Sequence, residues 1–385
     1  MRRNWTIGAI LLVVMLVMAA CAVPAPAAPA PAVEATAVVE APVVVEPTAV
    51  PVVEAVVEPT AVPMVEPVMV ELDAFTLGSM MVSEVPVLDG VADDAAWATA
   101  PVAMFDLKKG ANMEETTVNM QSVYTADTVY FLLTYADPTE SFIRSPWVKQ
   151  DDGTWKVLKD ENDKGGDNNV YYEDKLSIIW SIDNSIPKFE RQGCTVACHS
   201  TGVDAEVKPY GNKYTESGMG DMWHWKSVRN IGQLDDQYLD STPYSTEATS
   251  AGRKSDPSDG GGYVTNQTED KTLPMWMSAD GSFLGSILDS EKVAFDDAKF
   301  AAGDMVAGIV KSPFTGDRGD LSAGWQYADG MWTLEISRAL VTGSEFDVQF
   351  SDLTQPYYFG VAVFDNAQVR HAYQTKPDTL IFLAK

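Results

Sequence analysis

The sequence predicts an all-β fold, an antiparallel β-sandwich carrying a long loop-rich insertion. Three observations lead there. Runs rich in β-branched and aromatic residues lie at both ends of the globular portion, no long stretch has a clean 3.6-residue period, and the middle is dense in turn residues.

The strand runs come in two groups. Val118–Tyr124, Thr128–Tyr135 and Lys175–Ser181 form the first, bounded by Asp, Pro and Asn. Gly330–Arg338, Tyr357–Phe364 and Thr379–Leu383 form the second. Strands from both ends of the domain are expected to share one core. Between them, Pro187 to about Pro313 shows few strand signals and much turn chemistry, as in Pro257-Ser-Asp-Gly-Gly-Gly262. So long an irregular stretch reads as a functional insertion.

Ahead of this domain, residues 1–20 have the layout of an export signal. Met1-Arg2-Arg3 is basic, Trp5 to Met18 is uncharged and mostly apolar, and Ala19-Ala20 directly precede Cys21. The apolar run is too short to span a bilayer. Small residues followed by Cys21 make it a lipoprotein signal, so the chain is expected to be exported and anchored in the cell envelope by lipid on Cys21; an ordinary signal cut near Ala20 is the alternative. Residues 21–72 contain neither Gly nor an aromatic residue, and Val45-Glu-Pro-Thr-Ala-Val-Pro51 recurs as Val57-Glu-Pro-Thr-Ala-Val-Pro63. Spaced prolines without glycine make a stiff, semi-extended tether. The folded domain is expected over 73–385.

The net charge of −28 excludes nucleic acid as a natural partner, because phosphate binding needs a basic face. An acidic surface favours solubility and can steer a basic partner. Ten Trp, fourteen Tyr and fourteen Phe are enough to build a sizeable core.

Cysteine usage narrows the chemistry further. Only Cys21, Cys194 and Cys198 occur, and the last two stand in Cys194-Thr-Val-Ala-Cys198-His199. Two thiols followed at once by His is the arrangement that attaches c-type haem, with His199 as proximal iron ligand. The spacing of three residues between the thiols is the rarer variant. A Cys194–Cys198 disulfide, a zinc site that adds His199 and His224, and chance adjacency are the competing readings. For the second axial position the order of preference is His224, Met219, Met222, with His371 behind them. Trp223 and Trp225 are expected as flat apolar walls, although alternation in a strand would set His224 opposite them.

These segments also resemble a known family. Leu88–Trp97, Tyr130–Thr139, Asp221–Arg229 and Leu234–Tyr238 are together similar to the haem-binding domain related to the γ subunit of ethylbenzene dehydrogenase, over most of residues 80–385. The resemblance implies a β-sandwich holding one haem among its loops, and either a free-standing cytochrome or an electron-transfer partner of a molybdenum oxidoreductase of the DMSO reductase family. Cys194, Cys198 and His199 resemble the c-type members, which leaves Lys226 structural or propionate-binding. The expectation is therefore a membrane-anchored, non-enzymatic c-type cytochrome that transfers single electrons. The alternative is a ligand- or carbohydrate-binding β-sandwich lipoprotein with a Cys194–Cys198 disulfide and a Trp223/Trp225 stacking platform.

Overall fold

In the computed structural model, residues 72–163, 168–197 and 213–383 are described. The signal, the tether, Cys21, Cys198 and His199 lie outside them. Thirteen strands form the principal sheet: β1 Thr76–Met81, β2 Ala103–Lys108, β3 Glu115–Tyr124, β4 Thr128–Ala136, β5 Lys175–Ser181, β6 Gly220–Lys226, β7 Asp235–Leu239, β8 Arg253–Ser255, β9 Ser322–Ala328, β10 Met331–Ala339, β11 Tyr357–Phe364, β12 Ala372–Tyr373 and β13 Asp378–Leu383. Their order is β8-β7-β6-β5-β11-β12-β2-β3-β4-β10-β9, with β1 pairing β13 and β3.

The sheet folds back on itself, so its two halves face each other as the two layers of a sandwich. Phe131 of β4 meets Trp180 of β5 and Trp223 of β6 at 5.9 and 5.5 Å between ring centroids, and Phe105 of β2 meets Phe359 of β11 at 5.8 Å. Strand alternation explains which residues enter this core. Leu176, Ile178 and Trp180 point in from β5, Trp223 and Trp225 from β6, and Phe359, Val361 and Val363 from β11. Burying one such large apolar side chain contributes about 1.5–3 kcal/mol.

The Asp89-Gly90 turn and Trp97 are held by a single carboxylate on β10. Glu335 Oε1 accepts from Trp97 Nε1 at 2.8 Å, and Oε2 accepts from the Asp89 and Gly90 amides at 3.0 and 2.9 Å. Gly90 has φ +82°, and a Cβ there would lie 2.3 Å from the Trp325 backbone. Only glycine meets both demands.

All six expected strands form, with ends shifted by three residues at most. The expectation of an irregular insertion over 187–313 needs correction. β6 and β7 are central strands of the principal sheet, and shorter strands from the same stretch build three small sheets beside it. One of these is Trp147–Lys149 with Trp155–Val157 and Met305–Val306, over its own core of Trp147, Trp155, Met277, Phe300 and Val306.

Candidate functional site

Side chains that leave the core side of β5, β6 and β11 point to the opposite face. Register sets Ser177 beside His224, Ile179 beside Met222, Gly360 beside Ile179 and Ala362 beside Ser177. The short helix Phe189–Gln192 and the turn Gly193–Val196 pack over one end, burying Phe189, Cys194 and Ala197 against Ile179 and Met222. Gly360 permits that approach, since a Cβ there would meet Cys194 Cβ at 3.3 Å. Together these elements leave a cavity of about 50 Å³ lined by Met222, His224, Phe364, His371, Lys213 and Arg253, among others.

His224 is the chemically informative wall. Gln237 Nε2 donates to Asp235 Oδ2 at 3.1 Å, which turns its Oε1 toward His224 Nδ1 at 3.4 Å. Burial, reinforced by Lys226 and Lys175, pushes the imidazole pKa well below its ordinary value, so the ring is neutral. A neutral ring whose Nδ1–H donates to Gln237 carries its lone pair on Nε2. That atom is buried and has no hydrogen-bond partner among the described residues. It is an acceptor waiting for a donor.

The surroundings are rich in cations. Lys213 and Arg253 line the cavity, and Lys175 Nζ stands 3.9 Å from the Phe364 ring centroid while donating to Gln368 O at 2.9 Å. Lys226 pairs with buried Asp235, whose Oδ1 also accepts from Arg318 Nε at 2.6 Å. Phe364 stacks on His224 at 5.9 Å and sits 4.7 Å from His371.

The sequence-predicted residues divide as follows. Cys194, Met222 and His224 come together at the cavity, and His371 joins them from the far end of the chain. Met219 precedes β6, its amide donating to Ser185 Oγ at 3.1 Å, and does not line the cavity. Trp223 and Trp225 face the principal core, where Trp225 meets Trp332 at 4.7 Å, so neither walls a cofactor nor offers a stacking platform. Lys226 is committed to Asp235. Cys198 and His199, and with them the disulfide of the alternative reading, fall outside the described residues. Sequence reasoning missed Gln237, Lys175, Phe364 and Arg253. Alternation within β5 could have marked Lys175 with Ser177, but the pairing of β5 with β11 has no local signal.

An open hollow of about 810 Å³ lies over the outer face of β2, β3 and β4, lined by Met104, Asp106, Asn119, Met331 and neighbouring residues. It has no aromatic wall among the lining residues.

The sequence model of the ethylbenzene dehydrogenase family matches residues 91–376. No curated protein matches the chain. Among solved structures, a carbohydrate-binding module of family 9 from Caldicellulosiruptor kristjanssonii in complex with glucose is similar at 9% identity, covering 80% of this chain and 96% of that one, with a TM-score of 0.32. A putative carbohydrate-binding protein from Bacteroides uniformis is similar at 8% identity, covering 80% of this chain and 99% of that one, with a TM-score of 0.33.

The expected c-type cytochrome is corrected at this point. His224 Nε2 is a suitable iron ligand in isolation, but the described walls enclose about 50 Å³, against the roughly 300–1,000 Å³ of pockets that take cofactor-sized molecules. The tryptophans expected to sandwich the porphyrin point the other way. Cys198 and His199, expected to attach and ligate the haem, lie outside the described residues, and the described ones alone enclose no haem-sized space.

Proposed function

This chain belongs to the ethylbenzene dehydrogenase family, and on that premise we propose that it is a non-catalytic binding protein of the cell envelope, anchored by lipid on Cys21, whose cavity takes one edge of a small hydroxylated acid such as a sugar acid. The observation that carries the reading is the buried, neutral His224 with an unpartnered Nε2. A buried acceptor left unmet costs about 1–3 kcal/mol, and a ligand hydroxyl would remove that cost. Lys213 and Arg253 add donors and positive charge to the same wall, which favours a carboxylate beside the hydroxyl. Phe364 forms an apolar part of the cavity wall. The cavity holds a few non-hydrogen atoms, so only one edge of the ring enters and the remainder stays outside.

Calorimetric titration of the full chain with glucuronate, glucose and an uncharged methyl ester tests this. Glucuronate should bind most tightly, His224→Phe should weaken it about tenfold or more, and Arg253→Ala should erase the preference for the acid. Binding that survives His224→Phe but is lost in Asn119→Ala would move the site to the open hollow over β2–β4. Absence of binding across the panel, or a Soret band in the purified protein, would overturn the reading.

A further inference from the structure

Behind β6 and β7, on the core side, lies a group of carboxylates that the cavity does not use. Asp236 stands on β7, Asp256 follows β8, and Asp347 lies between β10 and β11. Each offers an oxygen within 4.8 Å of the other two, and all three are at least 97% buried. Asp221 and Asp320 raise the negative charge around Asp236. The cation placed among them is Arg338, which donates to Asp221 Oδ2 at 2.8 Å and lies 3.9 Å from Asp347 Oδ2. One guanidinium cannot balance five carboxylates.

The hydrogen bonds sharpen the point. Asp236 Oδ1 accepts from the Gln237 amide and Asp347 Oδ2 from Thr342 Oγ1, which leaves Asp236 Oδ2 and Asp347 Oδ1 unmet. Neither Asp256 oxygen accepts from an N–H or hydroxyl donor among the described residues, and its carboxyl faces that of Asp347. A buried carboxylate without a partner is among the costliest groups a fold can hold.

We propose that Asp236, Asp256 and Asp347, with Asp320 at the margin, bind a calcium ion that ties β7, the end of β8 and the segments flanking β9 and β10 together. The unmet donors are all carboxylate oxygens, with no imidazole or thiol among them, which selects a hard cation over zinc. Calcium tolerates an irregular shell of six to eight oxygens, and several carboxylates from separate segments suit it better than magnesium's strict octahedron. The second acidic trio, Asp137, Asp174 and Asp365, is a weaker candidate because both Asp174 oxygens already accept, from the Ser141 and Asn366 amides and from Trp332 Nε1.

The test uses the full chain, stripped with chelator and then dialysed against calcium chloride or magnesium chloride. Elemental analysis should find one more calcium per chain in the natural protein than in Asp256→Asn. Saturating calcium should raise the unfolding temperature by about 5 °C, and Asp256→Asn should lose that rise. Because neither Asp256 oxygen accepts from an N–H or hydroxyl donor among the described residues, the isosteric amide should fold, which circular dichroism verifies. Asp137→Asn should keep the full rise. Folded natural protein that takes up no calcium at millimolar concentration, an unchanged response in Asp256→Asn, or an equal response to magnesium would each overturn the assignment.

Discussion

Asp235 and Asp236 are consecutive on one strand and meet opposite fates. Alternation turns Asp235 toward the cavity face, where Lys226, Arg318 and the Gln237 amide all donate to it. It turns Asp236 toward the core side, where four more carboxylates crowd it and the Arg338 guanidinium among them is bonded to Asp221. Burial raises both carboxyls. Lys226 and Arg318 outweigh it at Asp235 and hold that carboxyl at about 2, whereas at Asp236 the neighbours add to it and the carboxyl rises well above its ordinary range. Burial alone therefore says nothing about the sign of a carboxylate's contribution; the charges across the strand decide it.

The largest expected consequence is at Asp235. Asp235→Ala strands Lys226 and narrows the support of Arg318 and Gln237, with Lys226 about 1% exposed and unable to reach water. Removing one partner of a buried pair costs about 3–5 kcal/mol. Urea unfolding should show that loss, together with weaker binding at the cavity, because Gln237 no longer has Asp235 to fix the amide that orients His224. A loss under 1 kcal/mol would mean the two faces are not as different as their charges suggest.

An acid titration gives a smaller effect of the same origin. A carboxyl near 3.9 in the unfolded chain and about 2 in the folded one stabilises the fold above pH 4 by about 2–3 kcal/mol. Because the folded pKa is the depressed one, that contribution is present at neutral pH and is lost as pH falls through 4 toward 2. The stability difference between the natural chain and Asp235→Asn should shrink over that window. Parallel curves would break the comparison.

How much of this was legible in advance follows from which interactions are local. β5 and β11 announce themselves by a run of β-branched and aromatic residues, and Leu88–Trp97 by its Asp-Gly turn and Trp. β6 reads as an aromatic site when taken alone. Only its pairing with β5 and the layer opposite shows that Trp223 and Trp225 are core while Met222 and His224 are not. The haem expectation rested on Cys194-Thr-Val-Ala-Cys198-His199 and on the family resemblance, and a short motif carries no information about the space around it. His371, Arg253 and Phe364 reach the cavity from strands and loops far apart in the chain, and the carboxylate group joins Asp236 to Asp347 across more than a hundred residues. Neither assembly has a periodicity that sequence could display.

The smallest effect is expected at Asp236, and its sign depends on calcium. In chelator, Asp236→Asn removes one of five crowded carboxylates and keeps the shape of the side chain. Its Oδ1 accepts one amide, a role the carboxamide oxygen can take over, and its Oδ2 has no N–H or hydroxyl donor among the described residues. Less like-charge repulsion and an intact hydrogen bond should leave the variant within about 1 kcal/mol of the natural chain, on the stabilised side. In saturating calcium the same substitution withdraws an anionic ligand, so the order reverses and the variant becomes the less stable of the two. Paired urea curves with and without calcium read both signs on one pair of proteins. If Asp236→Asn is strongly destabilised in chelator, Asp236 has a cationic partner after all, and the two faces of β7 differ only in degree.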